Sequence, residues 1–298
     1  MNRHEKRKRN KLLGLGNRAL KLRCAGCDRV GQTMTKEHFF PKWLIEYADA
    51  RKDGITWPEK VGLDWEDRNN VNPEKAVVPL CGDCNDAFGT LLEGPVSEVF
   101  RGLDRGEGLS DLEAELLVRW LWKFEGLQWS VFRDHNHQIY TRRFTLRERV
   151  TTSRAFDEVR PDLVLAIALA NANDPGRDWP MGLDTPVGEN AITMSGVFRR
   201  VALIVSLAQF SDEIHPAFGL YKFGAPPSDR DAKIFNPPCA FLTARGAVSA
   251  TQESAARLYI PHEEFGRRMK REQEAAEKEG RSPHLILPDP ARIHFPPM

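Results

Sequence analysis

The residue types able to do chemistry gather in one stretch, 24–89. Two Cys-x-x-Cys knuckles bound it, Cys24/Cys27 and Cys81/Cys84. Thiols paired this way can set four sulfurs tetrahedrally around one ion. Zinc is the usual occupant, and four sulfurs leave it no open position, so the expected zinc is structural. Gly26 and Gly82 sit inside the knuckles, where a tight turn must bring backbone close to the metal. Reduced thiols at chance spacing, or a redox pair, are the competing readings, and neither needs two matched knuckles.

Between the knuckles lies TKEHFFPKWL (35–44), and the second knuckle reads VPLCGDCNDAFG (78–89). Glu37-His38 precedes an aromatic-proline turn, and Asn85 directly follows the last knuckle cysteine. An imidazole titrating near neutrality can take a proton from water. The oxygens of Glu37 and Asn85 are hard donors of the kind magnesium accepts, because it keeps several waters and tolerates few protein ligands. Soft sulfur would hold zinc for folding and hard oxygen would hold magnesium for chemistry. Plainer roles exist as well: His38 packed beside Phe39 and Trp43, and Asn85 capping a helix after the strand-like VVPL.

The order Cys-x-x-Cys, acid-His, Cys-x-x-Cys-Asn resembles the HNH endonuclease family over about residues 24–95. The resemblance implies a β-hairpin plus helix around one divalent ion, the ββα-metal finger. It implies that His38 is the general base on the attacking water, and that Glu37 and Asn85 bind the catalytic ion. It further implies hydrolysis of DNA phosphodiesters leaving a 5′ phosphate, in a bacterial or phage defence system or a mobile element. The family's middle Asn normally precedes the second knuckle by about five residues. Here that place holds Ala76 beside Lys75, with Asn69, Asn70 and Asn72 nearby. The alternative is a non-catalytic zinc finger that holds DNA or RNA with a decayed nuclease site. A double-strand cut by one metal site would call for a homodimer.

Composition constrains the partners. The chain has 298 residues and a net charge of +1, which by itself favours no partner. Its distribution is uneven: residues 1–23 carry nine Lys/Arg against one acid, leaving 34 basic and 41 acidic side chains elsewhere. A basic arm on a mildly acidic body suits attraction to a phosphate backbone. Four of five cysteines belong to the knuckles, leaving Cys239 alone, and no apolar leader opens the chain. A reducing, cytoplasmic location is expected. The longest apolar runs, 163–170 and 201–207, fall well short of the roughly 20 residues that span a membrane.

The expected fold class is α+β: a zinc module, then helices and a mixed α+β portion. The segments read as 1–23 basic arm, 24–103 zinc/nuclease module, 104–262 α+β domain of unknown role, and 263–298 charged helix and proline-rich tail. The interval 50–75 is polar and reads as an irregular insertion. Apolar residues at three- and four-residue steps predict a helix over 86–103, split at Gly94-Pro95, with Phe88, Leu91, Leu92, Val96 and Phe100 on its core face. Ser110 with Glu113 predicts a capping box opening a second helix, which carries Leu112, Leu116, Trp120, Phe124 and Leu127 inward. His135-Asn136-His137 reads as a polar loop. The runs 162–170 and 197–210 read as strands buried on both faces, 218–223 and 240–243 as further strands, and 263–280 as an exposed charged helix.

Overall fold

Ser110 does open a long helix. Its hydroxyl and amide meet the Glu113 carboxylate at 2.8 and 2.7 Å, and the Glu113 amide returns to the hydroxyl at 3.3 Å. That box starts the helix at Asp111–Phe132, the axle of the molecule. The computed structural model describes residues 23–48, 55–61, 64–132, 144–169, 182–184, 194–224 and eight helical positions between 250 and 278; it is backbone only for 36, 55–61, 64–71, 75, 128–132 and 182–184. The basic arm before Arg23, His135-Asn136-His137, Cys239, the 240–243 strand and the proline-rich tail lie outside the described residues.

In chain order the elements are β1 (Met34–His38), α1 (Lys42–Tyr47), β2 (Ile55–Val61), β3 (Asp64–Val71) and β4 (Val77–Cys81). There follow α2 (Gly82–Phe88), a π-helical turn (Gly89–Glu93), α3 (Gly94–Asp104) and α4, the Asp111–Phe132 axle. Then come α5 (Leu146–Thr151), α6 (Arg154–Val159), β5 (Leu163–Leu169), β6 (Gly182–Asp184), β7 (Met194–Phe198), β8 (Val201–Leu207) and β9 (Gly219–Lys222). The class is mixed α+β, with antiparallel sheets β1-β4, β2-β3 and β6-β7-β8-β5-β9.

The large sheet bears out the reading of doubly buried strands: every residue of β5 and β8 is buried. One face joins a core that runs without a break from Cys24 through α4 to Phe223, and the other packs on Ile214, Phe218, Ala250 and Leu258. The axle joins the parts: Trp120 and Phe124 meet Phe198 of β7 at 5.0 and 6.3 Å, and Phe124 meets Phe39 and Phe40 at 5.5 and 5.7 Å.

Several expectations need correction. Within the interval 50–75, residues 55–61 and 64–71 are not irregular but pair as the antiparallel strands β2 and β3. The run 197–210 is two strands, because the chain reverses at Arg199-Arg200, with Arg199 at φ 54°. Leu91 is 52% exposed, since a π turn advances the chain by more than 3.6 residues and rolls it off the core face. Leu112 is also exposed; its neighbour Asp111 turns inward instead, to Arg160 and the Tyr221 hydroxyl. Among the described residues no helix is long and apolar enough to cross a membrane.

Candidate metal centre and the polar site beside it

The four knuckle cysteines converge. Their sulfurs all lie within 4.8 Å of one another, and the Cys27 and Cys81 sulfurs are 3.8 Å apart. Sulfurs about 2.3 Å from a tetrahedral zinc stand about 3.8 Å from each other; the Cys27–Cys81 separation matches that value, and the four together could hold a metal ion. None of the four is in a disulfide. The first knuckle reaches the second through Ala25, whose amide donates to Pro79 O at 2.9 Å. The amides of Cys81 and Gly26 point at the Cys24 sulfur, at 3.2 and 3.4 Å. Burial pushes the Cys24 thiol up, and the Cys81, Cys27 and Gly26 amides overcome it, leaving the thiol below its ordinary range. Cys84 is pushed strongly up, by burial and then by its sulfur neighbours.

Only one knuckle glycine is compelled by space. A Cβ on Gly26 would stand 2.8 Å from both Cβ and Sγ of Cys84, whereas one on Gly82 would meet nothing within 4 Å. The tight-turn expectation holds for Gly26 and fails for Gly82, which lies at the open start of α2. Outside the knuckle, Arg147 at the start of α5 donates its amide to Gly26 O at 2.8 Å, tying the cluster to the second half of the chain.

Strand β1 pairs with β4 in the register Glu37↔Val78 and His38↔Val77. Opposed residues share a face and successive residues alternate. Glu37 and Thr35 therefore face the side of buried Val78 and Leu80, while His38 shares a face with Val77, which is 40% exposed. The two neighbours leave the strand on opposite sides. One ligand can touch both only at the strand's end, and His38 is the last residue of β1. Its Nδ1 is buried without a hydrogen-bond partner.

Asn85 does not cap α2. Cys81 is the N-cap, so Asn85 sits within the helix, and its side chain makes no hydrogen bond among the described residues. Asn72 is the asparagine that braces the approach to β4: its Oδ1 accepts from the Glu74 amide at 2.9 Å, ordering the turn Pro73–Lys75. Ala76 then accepts from the Phe39 amide at 2.7 Å, which closes the hairpin just past His38.

The sequence reading missed the groups beneath Glu37. Lys123 of α4 is fully buried, ion-paired with Glu93 at the end of the π turn, and lies 5.6 Å from the Phe88 ring centre. Burial raises the Glu37 carboxyl above its ordinary range; Lys123 opposes this most strongly among the nearby charges, and Glu93 reinforces it. Charged residues inside an apolar helix (Glu115, Arg119, Lys123, Glu125) were the available signal. No family model, no curated protein and no solved structure matches this chain.

Proposed function

We propose that the chain is a zinc-stabilised, divalent-ion-dependent endonuclease of the HNH type, acting on DNA. One observation carries the proposal. Glu37, His38 and Asn85 present polar groups with no hydrogen-bonded protein partner among the described residues, on the strand that pairs with β4 and on the helix that carries Cys84. Buried polar atoms normally have a protein or water partner, so the unpartnered His38 Nδ1 is open to a ligand or water, and the half-buried Glu37 and Asn85 are free to bind one. The β1-β4 pair followed by α2 supports assigning the ββα-metal finger.

The Cys24, Cys27, Cys81 and Cys84 sulfurs would hold zinc, for folding alone. The Glu37 carboxylate and Asn85 amide oxygen fit a magnesium-like ion in donor type, and such an ion, when bound, relieves charge on the phosphate. His38 accepts the proton from the attacking water as its oxygen bonds to phosphorus. The bond from phosphorus to the 3′ oxygen breaks, that oxygen takes a proton from solvent, and the phosphate stays on the 5′ side. The basic arm, outside the described residues, would add sequence-independent contacts to the DNA backbone. Cutting both strands would use a homodimer.

A non-catalytic nucleic-acid-binding finger is the second reading. It is favoured by Ala76 standing in the place of the family's middle Asn and by the opposite departures of Glu37 and His38 from β1. Plasmid nicking with added magnesium, wild type against His38→Ala, decides between them. The nuclease reading expects nicking that His38→Ala abolishes. Equal inertness of both proteins while they retain DNA in low salt would overturn it.

A further inference from the structure

Three elements of the proposed site meet at one buried cation. The Lys123 side chain rises from α4, pairs with Glu93 at the end of the π turn, and lies against the ring of Phe88, the last residue of α2. The next residue of α4, Phe124, whose ring centre lies 5.9 Å from the Lys123 ammonium, packs on Phe39 and Phe40, which directly follow His38. The helix with Asn85 and the residues that follow the strand with Glu37 are thus both packed on one stretch of α4, Lys123-Phe124.

Stability alone gives little reason for such a pair. Removing two charges from water costs about as much as their attraction returns, and apolar pairs of similar volume are often equally or more stabilising. The π turn costs further, since it interrupts regular helical bonding; such turns are frequent at functional sites. Here it brings Glu93 inward, to 8% exposure, while Leu91 in the same turn goes outward. The helix gives up an apolar contact and places a carboxylate on Lys123.

We propose that Lys123, anchored by Glu93, is a positioning residue that fixes α2 against β1 so that Asn85 and Glu37 serve the same divalent ion. The inference rests on the nuclease reading of that site. It assigns the pair no contact with substrate; Lys123 acts through the two elements it joins.

The test uses the zinc-loaded full chain and manganese as probe, with binding followed by electron paramagnetic resonance. Wild type should bind manganese and Glu37→Ala should not; a wild type that binds none would sink the nuclease reading and this inference with it. The double variant Lys123→Met/Glu93→Leu removes the pair without leaving a lone buried charge. It should keep its zinc and its melting temperature yet bind manganese at least tenfold more weakly. Glu93→Gln, which keeps the shape and weakens the pair, should shift affinity in the same direction. If the double variant binds manganese like wild type while Glu37→Ala does not, the positioning role is wrong and the nuclease reading survives. If both pair variants lose zinc and fold, the pair is a stability element and the positioning role is equally refuted.

Discussion

A methyl group added at Gly26 probes the metal cluster without touching a ligand. The Cβ would arrive 2.8 Å from Cys84 Cβ and Sγ and 3.3 Å from Leu80 Cδ2. Cys84 cannot retreat cheaply: its Cβ is fixed to α2, its sulfur belongs to the cluster, and it is fully buried. Overpacking of this kind costs about 1–3 kcal/mol. If the strain falls on the metal-bound state, zinc affinity drops roughly 5- to 150-fold, at about 1.4 kcal/mol per factor of ten. Gly82→Ala is the matched control, with open space around the new Cβ and a helical backbone. It should be neutral or stabilise by about 0.4–1 kcal/mol, by restricting the unfolded chain. The assay is competition for zinc against a chromophoric chelator, with melting followed by circular dichroism. Equal behaviour of the two variants would refute the packing of the first knuckle against Cys84.

Glu37 makes stability pH-dependent with a definite sign. Its carboxyl is raised by burial, so between the ordinary carboxylate pKa and its own raised value the folded state holds more protons than the unfolded. Wild type should therefore lose stability as pH rises through that window and then level off. Glu37→Gln should be more stable than wild type above the window and equal to it below, in urea melts without divalent ions. At the β7-β8 turn, Arg199 has φ 54° and donates to Tyr47 O at 3.1 Å. Both Arg199→Ala and Arg199→Gly lose that contact, but only glycine relieves the left-handed backbone, so Gly should exceed Ala by about 1 kcal/mol in urea melts. The reverse order would mean that the turn does not hold this conformation.

The elements legible in the sequence were those set by local chemistry. The knuckle spacing, the Ser110/Glu113 box and the apolar runs of β5 and β8 each carry their own signal, and each appears where expected. What was illegible depends on partners far along the chain. Lys123 resembles a surface lysine until Glu93, 30 residues earlier, is brought against it. The β2-β3 strands, ITWPEKV and DWEDRNNV, lack apolar alternation, so their pairing leaves little trace in composition. Asn85 read as a cap because it follows a strand, but the reversal happens at Cys81, four residues earlier. The opposite faces of Glu37 and His38 follow from period-two alternation, once pairing with β4 shows the strand reaching His38.

Crystals of the zinc-loaded protein soaked in manganese would locate both ions, through anomalous scattering at the zinc and manganese edges. Zinc is expected amid Cys24, Cys27, Cys81 and Cys84, and manganese on the Glu37 carboxylate and Asn85 amide with the His38 ring beside it. Manganese absent from Glu37 and Asn85, or zinc absent from the four sulfurs, would contradict that arrangement.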